Sequence, residues 1–96
     1  GDETRSFEPF FDFGVSGYFL ACNRGKRSIC VDLRKPSGQQ IIKDLAAKSD
    51  ALVENFPAGT LARRSLDYAS LQPLNPKLVY LSCTGFGQTG PHAHRK

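Results

Sequence analysis

Arginines and glycines carry most of the chemical information in this chain. Arg34 follows the apolar run Ser28-Ile29-Cys30-Val31-Asp32-Leu33, and Arg63 and Arg64 come soon after a second run, Asp50-Ala51-Leu52-Val53-Glu54. In open α/β folds, phosphates sit at the carboxyl ends of strands, and a forked guanidinium makes bidentate, charge-assisted bonds to them. Arg24, Lys26 and Arg27 precede the first run, Lys35 adjoins Arg34, and Arg95 and Lys96 close the chain. For any one of these cations a solvated surface position is the competing reading. Asn55-Phe56 ends the second run ahead of Pro57 and Gly59. An asparagine amide there can bond a ligand amide or phosphate, and a phenylalanine ring can stack on a base. The same pair also fits an Asx-type turn with one core aromatic.

A third apolar run, Leu78-Val79-Tyr80-Leu81-Ser82-Cys83, leads into Thr84-Gly85-Phe86-Gly87-Gln88-Thr89-Gly90-Pro91. Residues 85–90 spell G-x-G-x-x-G, the spacing with which a dinucleotide's pyrophosphate is held on a helix N-terminus. That fingerprint belongs after the first strand of its unit, and its acidic ribose partner about 20 positions on would fall past Lys96. A nicotinamide or flavin site, a plain connection and a mobile loop over some other ligand therefore all stay open. His92-x-His94 has the spacing of a metal pair with no evident third ligand, so no metal site is assigned. Cys83 lacks a His or Asn partner and reads as core. A complete catalytic constellation is absent.

These residues need a scaffold, and the pattern supplies one. The three apolar runs read as strands. Pro36 suits the first turn of a helix, where its missing donor costs nothing, and Ile41, Ile42, Leu45 and Ala46 form its apolar stripe. Thr60–Leu66 reads as a short helix with Thr60 as N-cap. Asp67 caps another, Tyr68–Leu74, which Asn75-Pro76 ends. The order β-α-β-α-α-β with short connections predicts an α/β fold with parallel strands, a doubly wound layer. Residues 1–26, with Phe7, Phe10, Phe11, Phe13, Tyr18 and Phe19, read as an irregular aromatic N-terminal arm that covers, or is covered by, something else.

The balance of 13 basic against 9 acidic residues gives a net charge of +4. That is too mild to call for nucleic acid, but it suits an anionic ligand. Cys22, Cys30 and Cys83 form no C-x-x-C pair, which predicts buried free thiols in a reducing compartment. No segment approaches the roughly 18 apolar residues of a membrane span, and the acidic start is unlike a signal peptide. The expected location is intracellular, in cytoplasm or mitochondrial matrix. With no methionine at all, an abrupt Gly1 start and an abrupt Lys96 end, the chain reads as a fragment of a larger protein.

Several strings together resemble one family, the family III CoA-transferases typified by formyl-CoA and carnitine CoA-transferases. They are Gly1–Arg5, Asn23-Arg24-Gly25-Lys26-Arg27-Ser28-Ile29, Asp32-Leu33-Arg34-Lys35-Pro36-Ser37-Gly38, Val53-Glu54-Asn55-Phe56, Leu74-Asn75-Pro76 and the Thr84–Pro91 loop. The resemblance runs through essentially the whole chain, in order. It implies that residues 1–96 are part of a CoA-binding, Rossmann-like domain, incomplete at both ends. The implied enzyme moves CoA between an acyl-CoA thioester and a carboxylic acid through aspartyl-anhydride and aspartyl-CoA intermediates, with the glycine loop shielding the anhydride. By motif position, Val31 and Arg34 match contacts to the adenine and ribose-phosphate end. Asn55, Phe56 and Arg63 match residues along the CoA cleft, and Phe86 matches an aromatic beside the pantetheine. Arg64 stands where other members carry an apolar residue, Ser65 replaces a usual glycine, and Gly25 stands where Asn is common.

The same resemblance places the catalytic aspartate beyond Lys96, so the chain alone is expected to be inactive. No tightly bound cofactor is implied, CoA being a substrate. The full-length partner is expected to be a second copy in an interlocked homodimer. Three alternatives remain: an acyl-CoA racemase of the same family, a dinucleotide-dependent oxidoreductase domain built on residues 85–90, and a truncated non-catalytic binding module.

Overall fold

The computed structural model describes residues 2–93 and 95. It divides into two compact units, Gly1–Cys30 and Val31–Lys96. The first opens with a short 3-10 turn, Glu3–Ser6, whose N-cap Asp2 accepts a hydrogen bond from the Thr4 amide. Phe10 bridges Ser16 in antiparallel fashion, and helix α1 follows over Gly17–Asn23. The helix starts where it does because Ser16, almost fully buried, accepts from the Phe19 amide at 3.2 Å. A serine side chain in that position satisfies an amide the first turn would otherwise leave unpaired. The expectation of an irregular arm is thus corrected over residues 17–23, and the Ser16 cap ahead of an apolar run was the signal for it. The aromatics of this unit do pair, Phe7 with Tyr18 and Phe11 stacked on Phe13 at 5.4 Å, yet Phe13 stays 70% exposed.

In the second unit, helix α2 spans Pro36–Ala46 with proline in its first turn, as expected from that residue. Its inner face is set by Ala46, buried, and Ile42, packed on the core. Ile41 and Leu45 remain half exposed. Gly38 is required where it stands, because a Cβ there would lie 2.2 Å from the Asp32 carbonyl oxygen. The Asn75 amide donates to the carbonyls of Ala46 and Ser49 at 3.0 and 2.8 Å, closing off the C-terminal end of α2.

Strand β1, Ala51–Glu54, pairs in parallel with β2, Val79–Ser82, in the register Ala51 to Val79 through Glu54 to Ser82. Between them lie a 3-10 turn, Ala62–Arg64, and the one-turn helix α3, Tyr68–Leu71. The expected helix over 60–66 is therefore only that turn, and Thr60 does not cap it. The turn ends at Ser65 in the left-handed region, φ +54°, a conformation in which a helix cannot continue. Asp67 is the N-cap residue of α3, but its carboxylate takes the Ser70 hydroxyl rather than a backbone amide. The core consists of Ala46, Leu61, Leu66, Leu71 and Leu78, with Leu33, Ile42, Leu52 and Tyr80 against it.

The architecture is mixed α/β with a small two-stranded parallel sheet. The expected first strand, residues 28–33, forms no ladder among the described residues, and Ile29 is exposed. A β-branched run is a strand only when a neighbour accepts its backbone bonds, and none does so here. The expected β-α-β-α-α-β order is accordingly reduced to its last two strands.

Candidate functional site

The loops that leave the carboxyl ends of β1 and β2 carry most of the residues singled out above. Asn55 and Phe56 follow β1 directly. With Pro57, Cys83, Thr84, Gly85 and Arg95 they line a cleft of about 180 Å³ between the two strand ends. Phe56 also faces an apolar hollow of about 200 Å³ formed with Leu33, Ile42, Leu52, Leu61 and Leu66. Phe56 therefore borders both a cleft of mixed polarity and an apolar hollow.

Arg34 and Arg63, from separate segments, line one open depression of about 340 Å³ together with Gln39 and Arg64. Arg34 sits in the turn before α2 with its side chain 83% exposed. It is held by Asp32, whose carboxylate accepts from Nε at 2.9 Å and Nη2 at 3.0 Å, and also from the Arg34 backbone amide at 3.0 Å. These bonds, side chain first, hold the Asp32 carboxyl below its ordinary range and raise the Arg34 guanidinium. An exposed pair of this kind adds little stability, but it fixes where the guanidinium points. Arg63 bonds Thr60 Oγ1 at 3.3 Å, and Arg64 Nη1 bonds the Thr60 carbonyl at 2.8 Å. The three forks thus present a concentration of donors suited to a polyanion.

Val31 is half-buried and packs against Gly38 at the start of α2, outside both spaces. Phe86 lies in the glycine-rich loop, half exposed, edge-on to His92 with ring centroids 6.4 Å apart and with the Arg95 guanidinium 5.4 Å over its ring. Neither depression includes it. Arg24, Lys26 and Arg27 line a hollow of about 660 Å³ within the first unit, beside Asp2, Arg5 and Phe19.

The loop itself answers the dinucleotide reading. Residues 84–90 are irregular and bent, with Gly87 and Gly90 at positive φ, and Pro91–Ala93 form a turn. Among the described residues no helix opens within the motif or over residues 91–93, so these residues give the fingerprint no helix N-terminus. His92 joins no cluster of metal-ligating side chains among the described residues, and His94 and Lys96 lie outside them. All three cysteines are free, as expected, but exposed rather than buried. Cys83 is exposed because it follows the last residue of β2 and lines the strand-end cleft.

Glu54 was not among the residues singled out from the sequence. It is 9% exposed, a buried carboxylate at the end of β1, and it accepts from the Phe56 amide at 2.8 Å and from the Ser82 hydroxyl. Nearby, Tyr80 donates to the Leu66 carbonyl at 3.1 Å. Burial, with Glu54 and Asp67 adding negative charge, pushes its hydroxyl up to about 12.

The sequence profile of CoA-transferase family III matches residues 1–96. Among known proteins, the chain is 48% identical to succinate–glutarate CoA-transferase of Agrobacterium fabrum, over 97% of this chain and 25% of that protein. It is 46% identical to succinyl-CoA:glutarate CoA-transferase of Mus musculus, over 99% of this chain and 22% of that protein. Among solved structures, a CAIB/BAIF family protein from Brucella suis superposes with a TM-score of 0.82 at 47% identity, covering 99% of this chain and 26% of that one. The chain thus spans about a quarter of the length of the relatives it matches. The chain belongs to CoA-transferase family III, whose profile matches it from end to end.

Proposed function

We propose that this chain supplies coenzyme A-binding residues to an enzyme that moves CoA between an acyl-CoA thioester and a carboxylate. The observation that carries the reading is the convergence of Arg34 and Arg63, with Arg64 and Gln39, on one open depression. CoA carries its charge on phosphates at the nucleotide end, and forked, fully ionised donors suit that end. In this reading Val31 and Arg34 serve the adenine and ribose-phosphate end, Asn55, Phe56 and Arg63 border the cleft, and Phe86 lies beside the pantetheine. Relatives named for succinate and glutarate favour a dicarboxylate as donor and acceptor.

The chemistry belongs to an aspartate beyond Lys96. Its carboxylate attacks the thioester carbonyl, a C–O bond forms, the C–S bond breaks, and CoA departs as thiolate. The thiolate then attacks the aspartyl carbonyl of the anhydride, releasing the donor acid and leaving an aspartyl-CoA thioester. The acceptor carboxylate runs the same exchange in reverse, so one difficult transfer becomes a series of easier ones. Residues 1–96 alone bind without catalysing. In the whole protein they form part of a Rossmann-like domain of an interlocked homodimer, acting inside the cell and needing no resident cofactor.

Calorimetric titration of the full-length protein with CoA, dephospho-CoA and NAD tests the reading. CoA binds more tightly than either of the others, and Arg34→Ala and Arg63→Ala each weaken it by roughly ten-fold, as expected for lost bonds to a charged group. Unaltered affinity in both variants returns the arginines to ordinary surface charge. Preference for NAD would revive the dinucleotide reading.

A further inference from the structure

We infer that Glu54, Ser82 and Gln88 form a relay of positioning residues that fixes the glycine-rich loop against the Asn55–Phe56 turn. What the loop covers rests on the CoA reading; the relay itself does not. Glu54 and Ser82 are register partners at the last rung of the parallel ladder, so their side chains leave the same face of the sheet. Glu54 is buried, and no salt bridge reaches it among the described residues. A buried carboxylate without a cation needs hydrogen bonds to every oxygen it can supply with one. One oxygen takes the Phe56 amide at 2.8 Å, and the other takes the Ser82 hydroxyl.

The direction of the relay follows from the donor inventory. A serine hydroxyl has one proton, and an ionised carboxylate can only accept, so Ser82 spends its proton on Glu54. Its oxygen is then an acceptor, and Gln88 Nε2 donates to it at 2.5 Å. Gln88 is exposed and flanked by Gly87, at φ +81°, and Thr89, so backbone sterics constrain its loop weakly. Among the described residues its amide makes the hydrogen bond that returns this loop to the sheet. One carboxylate therefore orients both the Phe56 amide and, through Ser82, the loop.

The test uses the full-length protein with Gln88→Ala, Ser82→Ala, the double variant and Ser82→Thr. Amide hydrogen exchange at residues 84–91 is read alongside the ratio of acyl-CoA hydrolysis to transfer. Gln88→Ala, on an exposed side chain, leaves the Glu54–Ser82 bond and the fold intact. Each alanine variant speeds loop exchange by roughly five-fold, the loss of one hydrogen bond of ordinary strength. The double variant goes no further than either single, and Ser82→Thr, which keeps the hydroxyl, matches the parent. The hydrolysis-to-transfer ratio rises in the same variants. Unchanged exchange, or strictly additive effects of the two alanines, overturns the relay. If the parent neither binds nor transfers CoA, the functional reading falls, and the exchange pattern still decides the relay.

Discussion

At the scale of single residues, Ser65 shows how a conformation can be read against a substitution. It holds φ +54°, ψ +42° at the end of the Ala62–Arg64 turn, the position where the family resemblance calls for glycine. An L-residue with a Cβ pays about 1 kcal/mol there, and glycine does not. Because Ser65 is exposed and its hydroxyl makes no hydrogen bond among those described, Ser65→Gly removes the strain at little cost. Urea unfolding of the full-length protein should show a gain of at most about 0.6 kcal/mol, the strain of about 1 kcal/mol less the roughly 0.4–1 kcal/mol by which glycine frees the unfolded chain. A loss would mean that Ser65 makes a contact in the whole protein. Arg34 shows a different economy: its pairing with Asp32 uses two of the guanidinium's five donors and leaves the others for a ligand.

At the scale of elements, the approach of the Asp32 carbonyl to α2 depends on the absence of a side chain at Gly38. Gly38→Ala puts a methyl group 2.2 Å from that oxygen and close to Val31, so either the helix or the 31–33 segment must move. Overpacking of this kind costs about 1–3 kcal/mol, and thermal unfolding should register it. The same shift carries Arg34 with it, so CoA affinity should fall together with stability. The α2 helix was legible in the sequence because proline at its first turn and an apolar stripe are local signals. The sheet was half legible: two strands were recognised, whereas residues 28–33 had the composition of a strand and no neighbour to make them one. Arg34 and Arg63 do line one depression, but the strand-end rule is not the reason for Arg34, because residues 28–33 form no strand for it to follow. Glu54 was not legible, because burial of a carboxylate depends on which residue of β2 lies across from it, and register is not a local property.

β2 also carries the pH-sensitive group of the core. Tyr80 ionises at about 12 instead of 10.0, chiefly because it is partly buried, with Glu54 and Asp67 opposing a second negative charge. A folded-state value raised in this way favours the neutral phenol. The stabilisation is complete below pH ~10 and is lost as pH rises through about 12. Denaturant unfolding of the full-length protein across that window should show stability falling with pH. Tyr80→Phe should flatten that fall while lowering stability below pH ~10, since it also removes the bond to the Leu66 carbonyl. An equally steep fall in Tyr80→Phe would assign the dependence to another group.

At the scale of the whole molecule, the balance of buried and exposed apolar surface sets what the chain can do alone. Among the described residues the core is five side chains, while Val53 and Val79 on paired strands are 67% and 65% exposed and Leu81 is half exposed beside them. Val53 and Leu81 are register partners, so the sheet presents a contiguous apolar face to water. Folding stability at this chain length rests on a few kcal/mol, and an uncovered face of this kind contributes nothing to it. Residues 1–96 expressed by themselves should therefore bind a hydrophobic dye strongly and unfold over a broad thermal range. The same residues within the full-length protein should bind little dye and unfold cooperatively. Charging the face separates its two possible roles. Val79→Lys, on an exposed position of β2, should reduce dye binding by the isolated chain without further loss of structure. In the full-length protein the same change should destabilise, because there a buried lysine would have to be desolvated. If Val79→Lys leaves the full-length protein as stable as before, the face is solvated in both settings and the sheet needs no cover.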